Sequence, residues 1–84
     1  LYQALKTLAV AEAAGLPCIL GSMGESTIGS VAGLHLATAQ PAIVACECIG
    51  PLFLNNDPAS GYQVNFNTFQ ATVSAEPGLG VQLK

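Results

Sequence analysis

The chain has 84 residues, a formal net charge of −3, and 8% charged against 51% hydrophobic side chains. That length allows one small domain at most, and a typical soluble domain is about 25% charged. Lys6 and Lys84 are its only basic residues, so no basic patch meets a nucleic acid or an anionic membrane.

Residues 1–14 read as a helix. Leu1, Leu5, Leu8 and Ala9 share one face, and Gly15 stands where a C-terminal cap is expected. Residues 16–20, Leu-Pro-Cys-Ile-Leu between two glycines, read as a fully buried strand of the parallel-sheet kind. Ser22 or Gly24 then opens a second helix, which Pro41 stops near Gln40. Gly29 and Gly33 lie on this helix. Each costs about 1 kcal/mol against Ala, so a closely packed partner is expected there. This is the αβα rhythm of a parallel α/β sheet or barrel.

Beyond Pro41 the rhythm changes. Residues 42–47 are extended, Gly50-Pro51 turns the chain, and Asn55-Asn56-Asp57-Pro58 makes a surface loop. Tyr62, Val64 and Phe66 alternate with polar residues, and so do Phe69, Ala71 and Val73. They read as an antiparallel hairpin turning through Asn67-Thr68, where Asn accepts a positive φ.

Neither residues 28–39, which carry Ser30 and His35, nor residues 42–54, which carry Glu47, supply the roughly 20 apolar residues of a membrane span. Residues 1–15 are broken by Glu12 and make a poor signal peptide. Three sparse cysteines, Cys18, Cys46 and Cys48, suggest reduced thiols and a cytoplasmic setting. A chain this small needs polar surface, so its apolar composition leads us to expect other protein covering it. The opening Leu1 in place of Met fits a fragment of a longer chain.

Ser22-x-x-Glu25 ahead of an apolar run has the spacing of a capping box. It also suits an acid at the C-terminal mouth of a barrel strand, where enzymes of that architecture place catalytic groups. A partly desolvated carboxyl there can stay protonated and donate a hydrogen bond to a developing enolate oxygen. His35 shares a helical face with Ile28 and Val31 and reads as a packed, hydrogen-bonded core residue. Cys46-x-Cys48 places two thiols on one side of a strand. With Cys18 and His35 they match no standard zinc spacing, so buried inert thiols are expected. Gly78-x-Gly80 opens no helix and reads as a turn, and Asp57 as a solvated loop acid.

Gly21-Ser22-Met23-Gly24-Glu25-Ser26, the helix behind it, and Pro77-Gly78-Leu79-Gly80-Val81 together resemble the C-terminal end of the enolase superfamily. The branch is that of mandelate racemase and muconate-lactonizing enzyme. Glu47-Cys48-Ile49-Gly50-Pro51-Leu52-Phe53-Leu54 looks closer to the muconate-lactonizing subgroup, which often reads Glu-Leu-Phe-Gly-Pro-Leu-Leu-Leu there.

The resemblance implies an α/β fold, the C-terminal fragment of a (β/α)7β TIM-like barrel. Residues 1–41 would be the last helix, strand and helix of the barrel. Residues 42–84 would be a return segment and antiparallel hairpin packed on the N-terminal capping domain. Strand 18–20 is then expected without its two barrel neighbours, with the hairpin lying apart from it. Glu25 would be the catalytic acid, hydrogen-bonding the substrate carboxylate as it becomes an enediolate, and Ser22 would join it in substrate binding.

The implied cofactor is Mg²⁺ or Mn²⁺, with its ligands and the Lys-x-Lys base outside this chain. The implied parent is a homo-oligomeric isomerase or lyase acting on a small carboxylate, most simply a muconate-type cycloisomerase. A racemase, dipeptide epimerase or sugar-acid dehydratase is the alternative. The 84 residues alone should be inactive. The other classes left open are a non-catalytic interaction fragment and a lipid-contacting mini-domain.

Overall fold

Helix α1 (Tyr2–Ala13) ends as its sequence dictates. Gly15 takes φ +70°, the Gly15 N–H donates to the Glu12 carbonyl (3.0 Å), and the Leu16 N–H donates to the Ala11 carbonyl (2.9 Å). These two bonds form a Schellman cap, which needs a residue that accepts the left-handed region. The chain then enters β1 (Cys18–Leu20), passes a six-residue loop and forms α2 (Thr27–Ala39). This computed structural model describes all of residues 1–84.

Pro41 ends α2, and the chain turns back into β2 (Ile43–Cys46). β2 pairs with β1 in parallel, Cys18 against Ile43 and Leu20 against Cys46. The ladder extends past both ends: the Cys18 N–H donates to the Ala42 carbonyl (2.7 Å) and the Glu47 N–H to the Leu20 carbonyl (2.9 Å). β1, α2 and β2 are therefore a βαβ unit, with the helix serving as the crossover that a parallel pair requires.

This corrects two expectations. β1 is not the last parallel strand, and one of its neighbours is present. The segment read as a return toward another domain is an apolar run, Ala-Ile-Val-Ala-Cys, that satisfies its backbone on β1. The hydrogen bonding thus crosses the boundary expected at Pro41.

A 3₁₀ turn (Gly50–Phe53) leads to β3 (Ala59–Ser60), β4 (Gln63–Asn65), β5 (Gln70–Thr72) and β6 (Gln82–Leu83). β4 and β5 form a two-stranded antiparallel sheet separate from β1 and β2. The hairpin turn is wider than the sequence suggested, spanning residues 66–69. Asn65 Oδ1 accepts the N–H groups of Asn67 (2.9 Å) and Thr68 (3.2 Å). That leaves Phe69, not Asn67, to close the loop at φ +55°. β3 pairs with β6, and the Lys84 N–H donates to the Pro58 carbonyl (2.9 Å).

The core gathers around α2, where Val31, Leu34 and Leu36 are buried together with Leu8, Cys48 and Ala59. Gly33 is where α2 meets β1: a Cβ there would fall 3.0 Å from Leu20 Cδ2 and 3.5 Å from Cys48 Sγ. A Cβ at Gly29 would fall 3.0 Å from the Glu25 Cβ. Both glycines thus have the close partners expected of them.

The opposite face of the parallel pair is bare. Ile19 is 67% and Val44 66% exposed, whereas parallel sheets are covered on both faces. The strand expected to be fully buried is therefore half-buried on its α2 side and exposed on the other. No helix is long and apolar enough to cross a membrane.

Candidate active site

The carboxyl ends of parallel strands gather loops at one edge, and ligands of α/β proteins bind there. Here that edge carries two segments. Residues 21–26 leave β1, and residues 47–50 leave β2.

The first segment is organised by Glu25. Its Oε2 accepts the Met23 N–H (2.7 Å), and its Oε1 accepts the hydroxyls of Ser22 (3.0 Å) and Ser30 (3.2 Å). The Met23 amide, Glu25's own amide and the two hydroxyls hold this carboxyl below its ordinary value, against the opposing pull of burial. These donors favour the charged, accepting form of Glu25 over a protonated, donating one. The cause is the donor count: three groups of this chain converge on one carboxylate, and each favours the charged form.

The capping-box expectation also fails. α2 starts at Thr27 with Ser26 as its N-cap, so Ser22 and Glu25 both precede the helix. Ser26 itself makes no side-chain capping bond. Asp57 supplies one instead, from 30 residues away: its Oδ2 accepts the Thr27 N–H (2.9 Å). Its Oδ1 accepts the Ala59 N–H (3.1 Å). Burial alone would raise the Asp57 carboxyl, but the Thr27 hydroxyl and amide, the Ala59 amide and the Lys84 charge together bring it below its ordinary value. Asp57 is therefore a structural acid and not a solvated one. Sequence reasoning missed it because no local spacing signals a cap delivered from so far along the chain.

Glu47 stands at the end of β2, where its own N–H bonds the Leu20 carbonyl. Its side chain is exposed, and Oε2 lies 3.9 Å from where a Cβ on Gly21 would stand. No donor of the chain is hydrogen-bonded to its carboxylate, in contrast to Glu25 and Asp57. The signal was in the sequence: an acid directly after an apolar strand. It became legible once that strand proved parallel to β1.

His35 is held as expected, its Nε2 donating to the Leu79 carbonyl (3.1 Å). This bond ties α2 to the turn at residues 77–80. Cys48 is 3% exposed. Burial, then the adjacent Cys46 thiol and the Glu25 charge, push the Cys48 thiol up to about 12. It is the inert thiol foreseen, but Cys46 is exposed and Cys18 half-buried. The Tyr62 hydroxyl donates to the Cys48 carbonyl (2.7 Å), fixing the segment after β2 to the start of the hairpin. No three of the His, Cys, Asp and Glu side chains converge on a point that could hold a metal ion. These residues do not make a divalent-metal cradle.

The model of the enolase C-terminal domain-like family matches residues 1–84. The chain belongs to that family. It is 37% identical over 84 residues to the N-succinyl-L-Arg/Lys racemase of Bacillus cereus, covering 99% of this chain and 22% of the racemase. It is 35% identical over 82 residues to an L-Ala-D/L-Glu epimerase of Clostridium acetobutylicum, covering 98% and 23%. It is 38% identical over 80 residues to a chloromuconate cycloisomerase of Cupriavidus necator, covering 94% and 21%. The crystal structure of the Bacillus cereus racemase superposes with a TM-score of 0.78 at 32% identity, over 99% of this chain and 22% of the racemase chain. A mandelate racemase/muconate lactonizing protein from Herpetosiphon aurantiacus superposes at 0.85 and 27% identity, over 100% of this chain and 23% of that one. The chain thus spans less than a quarter of the length of each relative. Those relatives are racemases, epimerases and cycloisomerases, so the resemblance first carried by the 21–26 and 77–81 motifs holds across the chain.

Proposed function

We propose that residues 1–84 form the closing part of a (β/α)7β barrel in an isomerase of the enolase superfamily. Its reaction would be proton transfer at the carbon α to a carboxylate, through an enediolate. The observation that carries this reading is the shared edge of β1 and β2. Two parallel strands deliver Ser22, Glu25 and Glu47 to one mouth, as barrel enzymes deliver their catalytic groups.

Within that site Glu25 holds the loop in shape and Ser22 lies beside it at the substrate edge. Glu47 is the acid whose oxygens remain free to exchange a hydrogen bond with a substrate carboxylate. The base and any Mg²⁺ or Mn²⁺ ligands would come from other parts of a longer parent. The remaining barrel strands would cover Ile19 and Val44, and a capping domain would meet the hairpin. A cytoplasmic homo-oligomer is the setting we infer for the parent.

A muconate-type cycloisomerase is the first reaction to test, supported by the subgroup motif at residues 47–54. Racemisation of an N-succinyl amino acid and epimerisation of an Ala-Glu dipeptide are the alternatives, supported by relatives of similar identity. The full-length protein should be incubated with each substrate in D₂O. Deuterium entering the α-carbon, followed by NMR, supports racemase or epimerase chemistry. Loss of muconate absorbance with lactone formation supports the cycloisomerase. Neither change with any of the three would sink the assigned reaction class.

A further inference from the structure

We infer that Asp57 is the positioning residue of the Glu25 loop. α2 begins with unpaired first-turn N–H groups, as every helix does, and its N-cap Ser26 offers them no side chain. Thr27 is buried, at 3% exposure, so its N–H has no water to turn to. The Asp57 carboxylate fills that place at 2.9 Å, with its charge at the favourable end of the helix dipole.

The other Asp57 oxygen holds the Ala59 N–H at the start of β3. β3 is paired with β6, and the Lys84 N–H closes on the Pro58 carbonyl. Through one side chain, α2 is thus fastened to a small sheet built from the end of the chain.

The same helical turn carries Ser30, whose hydroxyl donates to Glu25 Oε1 (3.2 Å). Glu25 in turn holds the Met23 N–H (2.7 Å). The path from Asp57 runs through Thr27 and Ser30 to the carboxylate that shapes residues 22–25. Asp57 is hydrogen-bonded to neither Met23 nor Glu25, so its effect on them is indirect, and α2 is the hydrogen-bonded route. That this loop belongs to an active site rests on the reading above; its dependence on Asp57 does not.

The test is residue-resolved amide hydrogen exchange in the full-length protein, comparing Asp57→Ala, Asp57→Asn and Leu34→Ala. Leu34 is buried on α2 and makes none of the hydrogen bonds of the path, so its truncation lowers stability without removing any of them. Asp57→Ala should speed exchange at Met23 by about tenfold or more, as expected for local release of a hydrogen-bonded loop. Asp57→Asn keeps an oxygen able to cap Thr27. It should return Met23 to within about threefold of wild type, while Ala59 stays fast. Leu34→Ala should leave Met23 no faster relative to its neighbours. The inference fails if Met23 is unmoved in Asp57→Ala, if Leu34→Ala opens it equally, or if Asp57→Asn opens it as far as Asp57→Ala. Absence of turnover on every substrate class would overturn the enzyme reading and leave exchange at Met23 to decide the role of Asp57.

Discussion

Gly50 lies against the backbone of Glu25: a Cβ at position 50 would fall 2.7 Å from the Glu25 nitrogen and nearer still to its carbonyl oxygen. The loop leaving β2 therefore closes directly onto the loop leaving β1, and only a residue without a side chain permits it. The obstructing atoms are backbone and cannot swing aside. Gly50→Ala should cost about 1–3 kcal/mol of stability, the range for overpacking a tight site. Turnover by the full-length protein should fall further than stability, because the shift lands on the candidate site. A denaturant titration and steady-state kinetics on this variant check both. A variant as stable and active as wild type would show that the two loops are not interlocked.

Glu25 and Glu47 should respond differently to the same substitution. Glu25→Gln places an amide where three donors converge. Its NH₂ group cannot accept the Met23 N–H and forces at least one serine hydroxyl to turn, while the charge is lost, and hydrogen bonds to a charged acceptor contribute about 1.5–3 kcal/mol. Stability and turnover should both drop. Glu47→Gln disturbs no bond within the chain, so stability should stay within about 0.5 kcal/mol. Turnover should fall by on the order of 10²-fold if Glu47 contacts charge developing on the substrate. Melting curves and kcat measured side by side separate a shaping acid from a reacting one. Equal behaviour of the two variants would contradict that division.

The pH dependence has a definite sign on each side. Glu25 and Asp57 both have folded-state carboxyls below their ordinary values. Their contribution to stability is present above the unfolded carboxylate pKa of about 4 and is lost as pH falls through the folded values. Cys48 works the other way. Its thiol is raised to about 12, so its contribution is present below the ordinary thiol pKa of about 8.5 and is lost as pH rises beyond it. Urea midpoints of the full-length protein should be flat between about pH 5 and 8 and fall on both sides. Cys48→Ser should weaken the alkaline fall, and Glu25→Gln the acid one. Unchanged slopes in both variants would remove these groups from the account.

What the sequence disclosed, and what it did not, divides by range. Gly15 as a cap, α2 ending before Pro41, His35 as a bonded core residue and Gly33 as a packing contact were all legible. Each rests on a residue's own conformational limits or on helical spacing. The start of α2 was misjudged because Ser22 and Glu25 satisfy a local spacing rule, whereas Asp57 fills the capping role from 30 residues away. β2 was misread because periodicity does not say which strand an apolar run will join. The hairpin turn shifted because Asn65 spends its side chain on two backbone amides and leaves Phe69 in the left-handed region. At the candidate site, the 21–26 motif lies on the edge that β1 and β2 share. The free acid on that edge emerged only from the pairing of β1 with β2.

Residues 1–84 expressed alone should not form a cooperative monomer. Nine of the 84 residues are buried, which leaves too little apolar area removed from water to offset the ordering of the chain. The radius of gyration is 13.1 Å, against about 12 Å for a compact domain of this length. The exposed apolar residues also cluster, with Ile19 and Val44 on one sheet face and Phe66 and Phe69 at the hairpin tip. Exposed apolar patches bind other protein or aggregate. The isolated segment should therefore melt broadly, bind a hydrophobic dye strongly and exchange its amides within minutes, while the same residues within the full-length protein are protected. A sharp melt of a monodisperse monomer with dispersed amide signals would show that the faces we assign to a parent barrel need no cover.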